Sequence, residues 1–487
     1  MIKERPNCQV ELNTLDLKVF RSINIAIFSG GVTKDKEMNQ VSCSTLLPDW
    51  FKTSALIHMR YEAIDPQFFV RNRERLLENL KPNSLVVIHA NDIFPTNADG
   101  TMTFRQNNDL FYLTGVDQEE TVLILSPDAA LEEDRAILFV RETSEQIAIW
   151  EGDKLTKEQA TEASGMKNIQ WTDAFEPAFR RLALQAENIY LHTNEYVAAS
   201  QIVETRNRRF ISRCQDLYPL HNYERVSVPL QELRMVKDPE EIKFLQKAID
   251  ITEAGFRRVL KFLKPGVGEW ELEAEYLHEF VRSKSRGFSY SPIIGSGKNA
   301  CALHYLDNDD ICEDGEMVLM DVGAEYGNWN ADMTRTVPVN GKFSPRQKDV
   351  YEAVLRVMWG ANDILRPGLT PSEYQKQVLE IMEKELIDLG LIDAEEAKKQ
   401  DKSKKLVKKY FMHGTSHHLG LDVHDVFPAN APYAVGQVLT IEPGIYIPEE
   451  NLGIRIENDV MIGEAGNVDM FANFPTTVEE IEAAMTE

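Results

Sequence analysis

Two groups of residues in this chain could do chemistry. One is "HGTSHHLGLDVHD", His413 to Asp425, which holds four of the ten histidines in 487 residues. The other is a set of acids that interrupt apolar runs: Asp321 in "EMVLMDVGAEY", Asp332 in "WNADMTRTVPV", Glu442 in "QVLTIEPGIYI" and Glu457 in "LGIRIENDVMI". A single strand acid is ordinarily an edge or solvent-face residue, because carboxylates are rarely buried. Four of them with a histidine cluster between are another matter. Burying ionised carboxylates without compensation is costly, and four together repel one another. Two divalent cations would cancel their charge, and a neutral imidazole adds a ligand without changing that sum. Oxygen ligands with one imidazole and no thiolate suit Mn, Co, Fe or Zn, and donor type does not choose among these. Residue types alone leave open which of the four histidines binds.

The acids need strands to hold them. In "WNADMTRTVPV", Asp332, Thr334 and Thr336 share a face at the two-residue period, so Asp321 and Asp332 are expected to meet across paired strands. In "LGIRIENDVMI" the same period puts Arg455, Glu457 and Asp459 on one face, with Ile454, Ile456 and Val460 towards a core. Two motifs are set aside. "HGTSH" has the spacing of a zinc-binding helix but no Glu after its first His, and Gly414 and Gly420 disfavour a helix. "GSGKNA" lacks the spacing of a phosphate loop.

Helices must carry these strands. In "MVKDPEEIKFLQKAIDITEAGFRRVLKFLKPG", Asp238 is a candidate N-cap and Pro239 the first helical residue. Ile242, Leu245, Ile249, Phe256, Val259 and Leu263 recur at helical spacing, and Pro265-Gly266 ends the run. The device returns: "LKPGVGEWEL" (263–272) resembles "LRPGLTPSEY" (365–374). A duplicated unit follows, two αα-then-β halves about a pseudo-two-fold axis. Upstream, "SLVVIHA", "TVLILSP", "AILFVRE" and "ENIYLHT" read as buried strands of an α/β domain. Residues 1–58 show little periodicity and are read as a poorly ordered N-terminal extension. "MRYEAIDPQFFVRNRERLLENL", from Met59, reads as the first helix. The division is therefore 1–58, an α/β domain over 59–230 and a duplicated α+β domain over 231–487.

Composition narrows the partners. A net charge of −25 argues against nucleic acid and anionic membranes, which need clustered Lys and Arg. Cys8, Cys43, Cys214, Cys301 and Cys312 are scattered without a CxxC, so a reducing, cytoplasmic setting is expected. No apolar run reaches the ~20 residues of a membrane span, and no secretory signal is visible behind "MIKERPNC".

Taken in order, "MDVGAEYGNWNADMTRT", "HGTSHHLGLDVHD", "TIEPGIYI" and "IRIENDV" resemble the metal-site motifs of the aminopeptidase P and prolidase family. The resemblance spans roughly Met59 to Met470. "FRQNNDLFYLTG" (104–115) is similar to a motif of that family's N-terminal domain, which methionine aminopeptidases lack. It implies a pita-bread catalytic fold with two divalent ions, most often manganese, and a water or hydroxide between them. Carried over, Asp321 would bind one ion, Asp332 and Glu457 would bridge both, and His417 and Glu442 would complete the other. Glu442 would also shuttle a proton. His304, in "ALHYLDND", matches the family's substrate-side histidine, and His413 and His424 its two further active-site histidines. Arg455 and Tyr446 would line the pocket or support the ligands, and Phe111 is a candidate contributor to a neighbouring subunit's site. His418 matches no family function and reads as structural.

The resemblance implies hydrolysis of the bond between an N-terminal residue and a following proline, on peptide substrates, by a homo-oligomer (dimer or tetramer). Two other readings stand beside it: a prolidase limited to Xaa-Pro dipeptides, and a metal-free scaffold of the same fold. Phe427, Val435-Gly436 and Asn458 depart from the family pattern, and the loop between His424 and Glu442 is short. None of these removes a ligand; they bear on the shape of the substrate pocket.

Overall fold

The computed structural model describes residues 60–200, 202–401 and 405–486. The reading of residues 1–58 as an extension lies outside them. The N-terminal half runs α1 (Pro66–Leu77), β1 (Ser84–His89), α2 (Asn108–Thr114), β2 (Val122–Leu125), β3 (Ala136–Val140), α3 (Glu145–Glu151), α4 (Lys157–Ser164), β4 (Asn168–Trp171), α5 (Phe175–Ala183), β5 (Asn188–Leu191), α6 (Arg206–Leu217), β6 (Asn222–Arg225) and α7 (Ser227–Met235). The first helix starts later than expected. Asp65 caps it and Pro66 is its first residue, and a residue before proline is held out of the helical region, so residues 60–65 are not helical.

Six strands form one mixed sheet in the order β4-β3-β2-β1-β5-β6. Alternation along β1 divides its two faces. Leu85 and Val87 join Phe175, Phe179 and Phe210 of α5 and α6. Val86 and Ile88 join Phe68, Phe69 and Leu110 of α1 and α2, in a core that continues into the C-terminal half through Phe244 and Trp329.

That half begins with the hairpin α8 (Pro239–Phe262) and α9 (Glu269–Arg282). Asp238 caps α8, with Glu241 completing a capping box. Then come β7 (Ile293–Ser296), β8 (Met317–Asp321), the short β9 (Glu325–Tyr326) and β10 (Trp329–Asn330), and β11 (Thr334–Pro338). The second hairpin is α10 (Pro345–Ile364) and α11 (Pro371–Asp388), followed by α12 (Ala394–Lys399), β12 (Val438–Ile441), β13 (Gly444–Ile447), β14 (Leu452–Arg455), β15 (Asn458–Met461), β16 (Val468–Asp469) and α13 (Val478–Ala484). The two "PG" turns do the same work: Gly266 and Gly368 follow the first helix of each hairpin at φ of +92° and +86°, where a side chain would be strained. The sheets β11-β8-β7, β12-β15-β16 and β13-β14 carry the acids towards one another.

Candidate metal centre and active site

The acids lie where strands end, not in their middles. Asp321 is the last residue of β8 and pairs with Thr334 and Ile293, the first residues of β11 and β7. Asp332 falls two residues before β11, Glu442 in the break between β12 and β13, and Glu457 in the break between β14 and β15. The expected facing of Asp321 and Asp332 is therefore offset from the ladder. Both nevertheless converge, because the Tyr290 hydroxyl bonds to one oxygen of each. The Glu457 amide donates to the Thr334 carbonyl at 3.0 Å, and the Thr334 hydroxyl donates to the Glu457 carboxylate at 2.6 Å.

His417 enters from the loop before β12. Its amide donates to the Thr440 hydroxyl, and its Nδ1 lies 3.0 Å from the His418 carbonyl. A carbonyl only accepts, so Nδ1 carries a proton, and Nε2 is the nitrogen left to meet a cation once its own proton is displaced. Nε2 faces Asp332 at 3.4 Å and Glu442 at 3.8 Å. Asp332, His417 and Glu457 each offer one ligand atom, all within 4.8 Å of one another. Three convergent hard donors with a preset imidazole tautomer fit a divalent cation.

Electrostatics make the same point. Burial and the neighbouring acids Asp332, Glu442 and Asp321 push the Glu457 carboxyl well above its usual range. Burial raises Glu442 to about 7, against the pull of His417 and Arg455. Burial alone would lower the His417 pKa; Asp332 and Glu442 outweigh it and bring it to about 9. The acids draw in whatever positive charge is near. Arg455 also pairs with Asp321.

The cavity around these groups is about 900 Å³, and Tyr290, His304, His413, His424 and Arg455 line it with the acids. His304 is exposed on the segment after β7. The His424 ring stands 4.3 Å from that of His417. His413 is more committed than expected of a substrate donor. Its Nδ1 lies 2.7 Å from the Gly414 carbonyl and its Nε2 2.8 Å from the Tyr446 hydroxyl. Tyr446 in turn accepts from Arg455 at 2.8 Å. Burial and Arg455 lower the His413 pKa to about 3, so the ring is neutral. His418 is buried and stacks on Phe427 at 4.4 Å.

Phe111 is a correction. It is 0% exposed and packs edge-on against Phe69 and Trp329, each at 5.9 Å. α2 is buried from Asp109 to Thr114, and Phe111 lies inside the packing between α1 and β10, not on the cavity wall. Tyr290, Arg335 and Arg234 go unread in the sequence, and Asp459 is placed there on the Glu457 face without a role. Tyr290 sits on a loop with no periodic signal. Asp459, 0% exposed, accepts from the Asp332 amide at 3.1 Å. Arg335 lies on the face of β11 opposite the one the period picked out. Arg234 lies on α7, before the first helix hairpin.

Residues 243–464 match the model of metallopeptidase family M24, and residues 69–190 that of the aminopeptidase P N-terminal domain. The Xaa-Pro aminopeptidase of Escherichia coli (strain K12) is 36% identical over 440 residues, covering 87% of this chain and 98% of that one. The chain belongs to the aminopeptidase P family. The Xaa-Pro aminopeptidase of Haemophilus influenzae is 32% identical over 431 residues. Among solved structures, aminopeptidase PepP of Pseudomonas aeruginosa superposes with a TM-score of 0.78 at 29% identity, covering 87% of this chain and 98% of that one. A zinc-substituted E. coli aminopeptidase P with bound product gives 0.76 at 34%, covering 87% and 99%. The family's pita-bread catalytic fold and N-terminal domain are thus both present, and the chain is a metal-dependent hydrolase of the aminopeptidase type that uses divalent ions. Among the described residues, no helix is long and apolar enough to cross a membrane.

Proposed function

We propose that the chain releases the N-terminal residue from peptides with proline second, with Asp321, Asp332, His417, Glu442 and Glu457 as ligands of two divalent ions. The observation that carries this is the convergence of Asp332, His417 and Glu457 on one spot, with Asp321 and Glu442 beside it. Two bound ions there supply Lewis-acid polarisation of the scissile carbonyl and an activated water. Asp332 and Glu457, whose ligand atoms lie within 4.8 Å of each other and of His417, would hold the ions jointly. Glu442 is the carboxylate to move a proton from the attacking water to the proline nitrogen, because it is the most open of the four acids to the cavity, its side chain 20% exposed against 13% for Asp321 and 7% for Asp332. His424 is the better placed of the two histidine helpers, since the His413 N–H is already donated. A donor of this kind to the developing oxyanion is worth about 3 kcal/mol. His304 lies on the substrate side, and Arg455 and Tyr446 hold Asp321 and His413 from behind.

Proline explains a dedicated enzyme. The Xaa-Pro amide has no N–H, so a peptidase needing that donor cannot use it. We take manganese as the physiological metal, a cytoplasmic homo-oligomer as the working form, and 59–230 and 231–487 as its two domains. The test compares Xaa-Pro with Xaa-Pro-Yaa peptides after Mn loading. Turnover of the longer peptides is expected; activity on dipeptides alone would make the chain a prolidase. His417→Ala is expected to lower the bound metal, measured by elemental analysis.

A further inference from the structure

His424 sits in a turn, residues 419–426, that both halves of the chain hold; from β10, the Asn330 amide donates to the Gly420 carbonyl at 3.0 Å and its side chain to the Leu421 carbonyl at 2.8 Å. Within the turn, the Asp425 amide donates to the His418 carbonyl at 2.8 Å and the Gly420 amide to the Asp422 carbonyl at 3.0 Å. The ionic grips come from where the two halves join, the end of α7 and Lys237 just after it, and further bonds come from α2. Arg234, at the end of α7 and 2% exposed, reaches Asp422 at 2.7 Å and Asp425 at 2.5 Å. Its other branch holds Asp109 at 2.7 Å. Lys237 takes the second oxygen of Asp425 at 2.6 Å. Asp109 is completed by His192, whose Nδ1 accepts from Asn207, so its Nε2 donates. Asn108 donates to the Leu421 carbonyl and to Asp422, both at 2.8 Å. Tyr196 stacks on the His424 ring at 6.0 Å and 24°.

These groups converge on the residues two before and one after His424, and on its ring. That is a poor design for holding two domains together. Buried ion clusters add little net stability, since desolvation offsets attraction; what they fix is geometry. The fit is close as well. A Cβ on Gly420 would lie 2.2 Å from Asp425 Oδ2 and 2.7 Å from Lys237 Nζ.

We propose that Arg234, Asn108 and Tyr196 are positioning residues that act through His424, so that the N-terminal half completes the active site of its own chain. This rests on reading His424 as a helper in turnover. Arg234 and Asn108 set the backbone on both sides of His424, and the Tyr196 ring confines its rotation. Misplacing a reacting group by an ångström can cost up to ~100-fold.

Because Arg234 is buried among three carboxylates, the test uses the two milder positions. Tyr196→Leu and Asn108→Ala are compared in Mn-loaded protein, in wild-type and His424→Ala backgrounds, on an Xaa-Pro-Yaa peptide. Each is expected to lower kcat by roughly tenfold with KM and metal content unchanged. Tyr196→Phe keeps the ring and is expected to restore turnover. In the His424→Ala background neither change should lower kcat further, because residues acting as a unit are non-additive. Full additivity in that background overturns the proposal while leaving His424 in place. So does a rise in KM alone, which would make Tyr196 a direct substrate contact, and so does loss of metal or of folded protein in the two milder variants. Wild-type turnover in His424→Ala overturns the reading of His424 and the proposal with it.

Discussion

Arg335 is the residue whose conservative replacement should matter most to the metal centre without touching it. It is 0% exposed in β11, and all five of its N–H groups are used. Nε donates to the Pro475 carbonyl at 3.1 Å, Nη1 to the carbonyls of Thr334 and Glu457 at 2.9 and 2.7 Å, and Nη2 to Asn458 Oδ1 and Thr476 Oγ1 at 2.6 and 3.0 Å. Its guanidinium also lies over the Phe474 ring at 5.0 Å. Arg335→Lys keeps the charge but offers three donors from one atom, so at least two acceptors lose their partners. Each unpaired buried group costs about 1–3 kcal/mol, giving about 4 kcal/mol in all. That is a large part of a typical total stability of about 5–15 kcal/mol. One of the acceptors is the backbone of Glu457, so the ligand should shift too. Support of this kind is commonly worth ~10–100-fold in metal affinity. The assay is denaturant unfolding of chelator-treated protein, with Mn affinity measured in parallel. An Arg335→Lys protein within ~1 kcal/mol of wild type and with unchanged Mn affinity would refute the reasoning, since that is the range of ordinary surface changes.

Two further outcomes are expected. His89 lies on β1 between Phe175 and Phe210, with Nδ1 unpartnered; burial, with Arg206 nearby, lowers its pKa from 6.5 to about 3. A histidine depressed in the folded state contributes stability present above pH 6.5 that is lost as pH falls towards 3, so between pH 7 and 5 the loss is about 2 kcal/mol. His89→Phe should remove that share, and urea melts at the two pH values should differ less than those of wild type. Phe111→Ala should cost about 3–5 kcal/mol of stability through the cavity it leaves, while the remaining folded enzyme keeps its KM; a selective rise in KM would return Phe111 to the substrate pocket.

What could be read from the sequence was whatever repeats or ends an element. Asp238, Pro239 and the two Pro-Gly turns announce both helix hairpins, because caps and left-handed turns demand particular residue types. Four of the six strands of the N-terminal sheet show as short apolar runs, while the edge strands β4 and β6, with Asn, Gln, Glu and Arg among their residues, do not. Face assignments failed where strands are buried on both sides. Arg335 was passed over because the period of β11 singled out Thr334 and Thr336, yet the whole strand is buried. Period two also set Asp332 opposite Asp321, although the ladder starts at Thr334. Tyr290 and Arg234 act over long sequence separations, and no local pattern announces such contacts. Phe111 was placed in the pocket by analogy with its motif, and its neighbours Phe69 and Trp329 are remote in sequence.

The placement of acids at strand ends has a physical reason. Within a ladder, side chains stand perpendicular to the sheet and those of neighbouring strands lie side by side, so carboxylates there would line a face instead of surrounding a point. Where a strand ends, the backbone turns and its carboxylate can aim along the sheet. Asp321 ends β8, and Glu442 and Glu457 each occupy the break between two strands. The duplicated halves bring such ends together from opposite sides, the first giving Asp321 and Asp332, the second His417, Glu442 and Glu457. Arg455 offsets one of the four carboxylates through Asp321. Three remain around His417, a surplus that apolar packing cannot neutralise and that cations in their midst would. The glycine-bearing loop is then required to be tight: Gly420 leaves room for Asp425 and Lys237, which fix the turn of His424, while His417 at its other end meets the acids. One short segment thereby couples the metal ligands to the N-terminal half of the chain.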